Sequence, residues 1–357
     1  MLNILVIKPS SLGDIAHTFP AVELVRRHHP DARLSWVVNE EYVPLVELCS
    51  AVNEVIPFRR HRWGRVQHWG EFLHFLSELR ARRFDWVLDL QGLFRSGFIA
   101  WGTGCRRRAG FADARECAPW FYTQSVLTPP ELRHAIDRNL HLVRKVFQLP
   151  DNEDVRFPEM VRPPAVVQAV NALLEAEGLG DCAPLVVLAP GARWQSKIWP
   201  AEHVAELIRQ LRSRHPRAGF VLIGGRSERL LAAEIVGRAG NLPCFWNAAG
   251  RTSLVESLEL LRRSCLLVAN DSGPAHLAAA VNRPAVVLFG PTDPTLTGPY
   301  GKIHNILRGQ CFEEGPCFRE ECRNGRNGCM NSIPVSVVAA QVEQVLAAGV
   351  PQQEANR

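Results

Sequence analysis

The stretch Asn270-Asp271-Ser272-Gly273-Pro274-Ala275-His276, resumed at Phe289-Gly290-Pro291-Thr292-Asp293-Pro294, decides the fold. Residues 265–269 before it are an apolar run and read as a buried strand. Residues 274–281 after it read as an alanine-rich helix, which Asp271 or Ser272 can cap and whose first turn suits Pro274. A second apolar run, 285–289, closes a strand–helix–strand unit. Backbone N–H groups and the helix dipole point outward at such a corner and favour anions. In open α/β sheets ligands collect at the same edge.

The rest of the chain repeats this rhythm. Strands are expected at 3–7, 34–38, 52–58, 84–90, 185–189, 220–223 and 303–307, with helices at 15–27, 69–82, 134–147, 166–177, 201–214, 255–263 and 335–348. Residues 112–130 show little periodicity. Residues 150–164 break the pattern with Pro158, Pro163 and Pro164, and a domain boundary belongs there. Alternating strands and helices on both sides imply an α/β chain of two Rossmann-like, doubly wound domains, with parallel sheets facing across a cleft. The expected divisions are 1–160, 161–334 and a C-terminal helix and tail at 335–357.

Bulk properties agree with a globular protein. The chain has 357 residues, long for one core. It is 46% apolar and 22% charged, with a mild net charge of +5 that does not call for a nucleic-acid partner. No run of about 18 apolar residues suggests a transmembrane helix. The apolar run 4–7 is too short for a signal peptide, so a cytoplasmic protein is expected. Without an export signal most of the ten cysteines are expected to be reduced. Cys311, Cys317, Cys322 and Cys329 cluster as C-x5-C-x4-C-x6-C, which lacks any C-x-x-C and is atypical for structural zinc. No bound metal and no cofactor are expected.

Several corners carry chemistry. Lys8-Pro9-Ser10-Ser11-Leu12-Gly13-Asp14 joins the first strand to a helix, yet it is neither a Walker loop nor G-x-G-x-x-G. Asp14 falls where a helix start stabilises a carboxylate. Arg59, Arg60 and Arg62 lie in the densest basic run, with Trp63 and Trp69 in and beside it, and suit an anionic, sugar-bearing group. In the second half Gly191-Ala192-Arg193 with Lys197, Gly224-Gly225 with Glu228, and the Asp271 corner offer helix starts, a cation and two carboxylates. That set suits a diphosphate carrying a sugar: Lys197 for phosphate charge, Glu228 and Asp271 for hydroxyls, and Asp14 as the base for an incoming hydroxyl.

Taken in order, these motifs resemble glycosyltransferase family 9, the ADP-heptose:lipopolysaccharide heptosyltransferases. The residues that carry the resemblance are Lys8 to Asp14 with His17-Thr18-Phe19-Pro20, Gly191-Ala192-Arg193 with Lys197 and Trp199-Pro200, Gly224-Gly225 with Glu228, and the two opening stretches. The resemblance covers nearly the whole chain and implies a GT-B architecture. It implies metal-independent, inverting transfer of a heptose from ADP-heptose to the Kdo region of lipopolysaccharide, a Kdo-lipid A type acceptor, at the inner face of the inner membrane. By matched position Asp14 is the catalytic base, Lys8, Ser10 and Ser11 line the reaction site, and Lys197 meets the pyrophosphate. Glu228 and Asp271 take donor hydroxyls, while Ser272, Gly273 and His276 meet phosphates or heptose. Arg59, Arg60 and Arg62 occupy the place of a basic acceptor-binding segment. Gly13-Asp14-Ile15-Ala16-His17-Thr18, and Gly290-Pro291-Thr292-Asp293-Pro294 with Gly298-Pro299-Tyr300-Gly301, look closer to type I members than to type II, although Ala192-Arg193 stands where type I members often carry Thr-Thr. The alternatives are a heptose or another glycan as acceptor, a nucleotide-sugar epimerase, and a non-catalytic sugar-nucleotide binder. Closure of the cleft is an expected step in turnover.

Overall fold

The structure is a computed structural model and describes residues 1–63, 66–310, 315–322 and 328–349, with backbone alone at 61 and 66. It divides into two compact units, Met1–Val161 and Arg162–Arg357.

The first unit begins β1 (Asn3–Ile7), α1 (Leu12–Ala16), α2 (Phe19–His28) and β2 (Arg33–Asn39). It continues α3 (Val43–Val46), β3 (Glu54–Phe58), α4 (Arg60–Trp63), α5 (Trp69–Ala81) and β4 (Trp86–Asp89). It ends with α6 (Phe94–Gly102), β5 (Arg108–Phe111), β6 (Gln124–Val126) and α7 (Ala135–Phe147). The strands form one parallel sheet in the order β3-β2-β1-β4-β5-β6. Such strands are buried on both faces, which is why β1 and β2 read as apolar runs.

The second unit opens with α8 (Pro164–Ala176), β7 (Leu185–Ala189), α9 (Ala201–Arg214), β8 (Gly219–Leu222), α10 (Arg229–Ala239) and β9 (Phe245–Asn247). Next come α11 (Leu254–Arg263), β10 (Leu266–Asn270), α12 (Gly273–Ala280), β11 (Ala285–Phe289) and α13 (Pro294–Thr297). It closes with β12 (His304–Arg308), α14 (Gly328–Asn331) and α15 (Val335–Ala348). Its parallel sheet has the order β12-β11-β10-β7-β8-β9. The C-terminal helix α15 packs on α9, β10 and β11, and its Val338, Ala339 and Val342 join the same core as Trp199 and Phe220.

Read from its own first strand, each sheet runs 3-2-1-4-5-6, the doubly wound order. Strand order reverses between β1 and β4 in one unit and between β7 and β10 in the other. Ligands of such sheets gather outside the strand C-termini at that reversal, so these two places are where the site residues matter.

Three local expectations change. The helix expected at 15–27 is two helices, α1 and α2, separated at His17 and Thr18. Thr18 Oγ1 donates to the Asp14 carbonyl (2.9 Å), and Pro20 sits in the first turn of α2, where its missing N–H costs nothing. The aperiodic stretch 112–130 contains β6, a three-residue edge strand with one buried side chain. Cys182 and Cys244 form a disulfide, and no other disulfide occurs among the described residues.

Candidate active site

In the first unit, β1 delivers Lys8 to the sheet edge. Its backbone is fixed on β2: the Lys8 N–H donates to Val37 O, and Trp36 Nε1 donates to Lys8 O (3.1 Å). The side chain is buried and donates from Nζ to Leu90 O (2.8 Å), which ties the loop after β1 to the loop after β4. Lys8 Nζ also lies 3.8 Å from Asp14 Oδ1. The other carboxylate oxygen, Asp14 Oδ2, accepts from the Ser11 N–H (2.9 Å) and the Ser11 hydroxyl (2.8 Å). Asp14 occupies the first turn of α1, where a carboxylate is stabilised, and its side chain remains 42% exposed. The Ser10 N–H reaches Gln91 Oε1 at 3.4 Å. Lys8, Ser10, Ser11 and Asp14 therefore form one constellation.

A residue given no role from sequence holds the floor of this corner. Asp89, the last residue of β4, is fully buried and accepts from Tyr122 OH (2.7 Å), Ser96 Oγ (2.8 Å), Gln91 N–H (2.9 Å) and Gly92 N–H (3.1 Å). Burial raises its pKa above the ordinary carboxylate value, against the pull of those four donors. Burial and the neighbouring Asp89 likewise push the Tyr122 phenol upward. Tyr122 reaches the carboxylate across Gly110, where a Cβ would lie 2.3 Å from the phenol ring. The polar corner Asp89-Leu90-Gln91-Gly92 after an apolar strand was the available signal.

The basic segment is more engaged than its charge suggests. Arg59 Nε donates to Glu40 Oε1 (2.8 Å), and Arg62 donates to Glu71 Oε1 (2.7 Å). Arg60 is exposed and makes no ion pair among the described residues. Trp63 packs inward on Phe58, Phe72 and Phe75 at ring separations of 5.3, 5.8 and 4.7 Å. It is a core residue, and its place in the basic run does not make it surface. Trp69 is exposed.

In the second unit, Asn270 at the end of β10 donates from Nδ2 to Pro190 O (2.6 Å), the residue after β7. It also accepts the Trp199 N–H at 3.4 Å. This bridge crosses the strand reversal and sets Lys197 beside Asp271. Lys197 Nζ donates to Asp271 Oδ2 (2.6 Å) and lies 4.6 Å from the centre of the Trp194 ring. Thr292 Oγ1 donates to the same Asp271 oxygen (2.6 Å). The Asp271 side chain is 4% exposed. Thus Asp271, expected on donor hydroxyls, spends Oδ2 on a lysine and a threonine.

Glu228 turns back to the loop after β8. Its Oε2 accepts the Gly225 N–H, and the side chain lies against Gly191. Ser272 is the N-cap of α12 but makes no side-chain cap bond, and its Oγ is buried without a partner among the described residues. Gly273 opens α12, and His276 lies on its buried face. Behind them His304 is pushed down to about 4, chiefly by burial and further by the charge of His276. Arg193 is exposed and Ala192 half-buried on the loop before Trp194. The second unit therefore assembles Lys197, Glu228, Asp271 and Ser272 around the ends of β7, β8 and β10.

Residues 72–327 match the family described as glycosyltransferase family 9 (heptosyltransferase). The chain is 33% identical over 338 residues to lipopolysaccharide heptosyltransferase 1 of Pseudomonas aeruginosa, covering 90% of this chain and 87% of that one. It belongs to glycosyltransferase family 9. Among solved structures, E. coli ADP-heptose lps heptosyltransferase II superposes with a TM-score of 0.80 at 24% identity, covering 97% of this chain and 99% of that one. E. coli heptosyltransferase WaaC with ADP-2-deoxy-2-fluoro heptose gives 0.76 at 25% identity, covering 96% and 99%. The fold class is GT-B, and this family 9 member is a glycosyltransferase.

Among the described residues, no cluster of three or more His, Cys, Asp or Glu side chains could hold a metal ion. Cys311 lies outside the described residues, while Cys317, Cys322 and Cys329 form no disulfide among the described residues. No described helix is long and apolar enough to cross a membrane.

Proposed function

We propose that this family 9 enzyme transfers a heptose from ADP-heptose to a Kdo residue of the lipopolysaccharide inner core, with inversion at the anomeric carbon. The observation that carries the chemistry is the half-exposed Asp14 carboxylate, oriented through one oxygen by Ser11 with Lys8 beside the other. Such a group is fixed in direction yet open to a ligand, as a general base must be. Asp14 takes the proton of the acceptor hydroxyl as that oxygen bonds to the anomeric carbon. The bond from that carbon to the pyrophosphate oxygen breaks, and ADP leaves with the electron pair. Lys197, held by Asp271 and Thr292, stabilises the charge that develops on the leaving phosphate. Ser272, whose buried hydroxyl lacks a partner among the described residues, supports a donor contact at the start of α12. Glu228 takes donor hydroxyls, and Ala192, Arg193, Gly273 and His276 complete the donor side. On the acceptor side Lys8 and Ser10 join Arg60, the member of the basic trio without an ion pair among the described residues. The 33% identity to a type 1 enzyme supports the reading of Kdo over heptose as acceptor, and with it the reading of a site of action at the cytoplasmic face of the inner membrane.

An acceptor panel tests this reading. With ADP-heptose as donor, transfer is expected to Kdo-terminated lipid A and not to a heptose-terminated core, and NMR of the product is expected to show the inverted anomer. Transfer to the heptose-terminated acceptor alone would overturn the assignment of Kdo.

A further inference from the structure

The outer face of α5 and α6 carries apolar side chains that the chemistry does not use. Trp69 and Leu73 on α5, and Phe94 and Trp101 on α6, are each at least 50% exposed. Phe94 and Trp101 belong to one aromatic cluster that reaches α5. Phe98 lies 6.4 Å from Phe94, 5.6 Å from Trp101 and 6.2 Å from Phe72 of α5, ring centre to ring centre. The two helices are in close contact, since a Cβ at Gly102 would lie 2.8 Å from Leu76. A soluble surface rarely groups this much exposed aromatic area without a partner.

Charge at one end of the face identifies that partner. Where α5 and α6 end, Arg80, Arg83, Arg106 and Arg107 line a cavity of about 590 Å³. None of the four makes an ion pair among the described residues. The cavity's one carboxylate, Asp85, accepts the Asn3 N–H (2.8 Å), and the Arg107 guanidinium lies over the Trp86 ring at 5.5 Å. Arg95 is exposed on α6 between the aromatic positions. The acids of α5 are engaged: Glu71 with Arg62 and His68, and Glu78 with His74. Glu116, at the other end of α6, accepts the Phe94 N–H (3.3 Å). Indole and phenyl rings bordered by unpaired arginines match the chemistry of a bilayer surface, where rings settle at headgroup depth and arginines meet lipid phosphates. Phe94 follows shortly after Gln91, which takes the Ser10 N–H, so one end of the face adjoins the Asp14 corner.

We infer that the α5–α6 face docks this enzyme on an anionic phospholipid surface, with Phe94, Trp101, Trp69 and Leu73 entering the headgroup layer and the four-arginine cavity taking a lipid phosphate. The inference rests on the reading of a lipid-borne acceptor, and it is tested without donor or acceptor so that the two can fail separately. The full chain is sedimented with phosphatidylcholine vesicles and with vesicles containing phosphatidylglycerol. Binding to the anionic vesicles is expected, and weaker binding in high salt. Phe94→Ser with Trp101→Ser is expected to weaken it by at least about tenfold. Arg106→Ser with Arg107→Ser is expected to remove the preference for anionic lipid. In the wild-type chain brominated lipid is expected to quench indole fluorescence, and Trp101→Phe to lower that quenching, a readout that stands if the double variants misfold. Transfer to a delipidated, soluble acceptor is expected to be equal in all folded variants, and its failure would bear on the transfer reading alone. Docking is overturned if the wild-type chain stays in the supernatant or if all variants bind alike. It is also overturned if the aromatic variant merely dissolves a dimer, which makes a second copy the occupant. Release by inorganic phosphate with no effect of the aromatic variant would assign the cavity to a soluble anion instead.

Discussion

Two Lys and Asp pairs sit at the two strand reversals, and they are built in opposite ways. At the first, Lys8 is buried and keeps its carboxylate partner 3.8 Å away, while Asp14 stays 42% exposed and is oriented by Ser11. At the second, Lys197 and Asp271 are 2.6 Å apart and Asp271 is 4% exposed. The topology is the same, so the difference lies in which member reaches solvent. An open carboxylate held through one oxygen can accept a proton. A buried carboxylate that accepts from lysine and threonine through one oxygen holds the lysine in direction. Residue types alone gave both aspartates ligand-facing roles, and their side chains differ in exposure, 42% against 4%.

The largest effect expected is on the open pair. Asp14→Asn keeps an acceptor for Ser11 and so keeps the corner, but it removes the base. Turnover is expected to fall about 10²- to 10⁴-fold, with ADP affinity unchanged in a calorimetric titration. Retained turnover would erase the contrast. The closed pair is expected to answer in stability, and unequally. Lys197→Met leaves a buried carboxylate without its cation and is expected to cost about 3 kcal/mol in denaturant unfolding. Asp271→Asn leaves a lysine that can still reach water and is expected to cost about 1 kcal/mol. The double variant is expected to lose less than the sum. Additive losses would mean that the pair is not coupled.

How far the sequence carries depends on the range of each interaction. Strands 185–189 and 285–289 coincide with β7 and β11, because a parallel strand covered on both faces must be an apolar run. Lys8, Ser11 and Asp14 fall within one loop and its helix, so their meeting is local and legible. The Lys197 contact with Asp271 spans 74 residues and depends on β7 lying beside β10. Glu259 is a similar case. It is buried on α11 and takes Arg162 from the start of the unit at 2.6 Å, which no local pattern announces. The division of the helix at 15–27 was available in Pro20, whose ring cannot sit in a helix interior without breaking a bond. Trp63 misled because its neighbours in sequence are charged, while its neighbours in space are Phe58, Phe72 and Phe75.

The smallest effect expected concerns a contact that makes the second corner tight. A Cβ on Gly191 would lie 2.5 Å from Glu228 Cγ and 2.6 Å from Oε1. Gly191→Ala therefore must displace Glu228. That side chain is half-exposed and flexible, so it can swing away, and the stability cost is expected to stay near about 1 kcal/mol, at the low end of overpacking. What moves is the carboxylate that accepts the Gly225 N–H. If Glu228 also takes donor hydroxyls, the donor KM is expected to rise by up to about tenfold, the worth of one hydrogen bond, while kcat holds. Glu228→Ala is expected to raise KM to the same level, with no further rise when the two changes are combined. An unchanged KM in both variants would leave Glu228 as a clasp on its own loop, and the donor contacts of the second unit would then centre on Lys197 and Ser272.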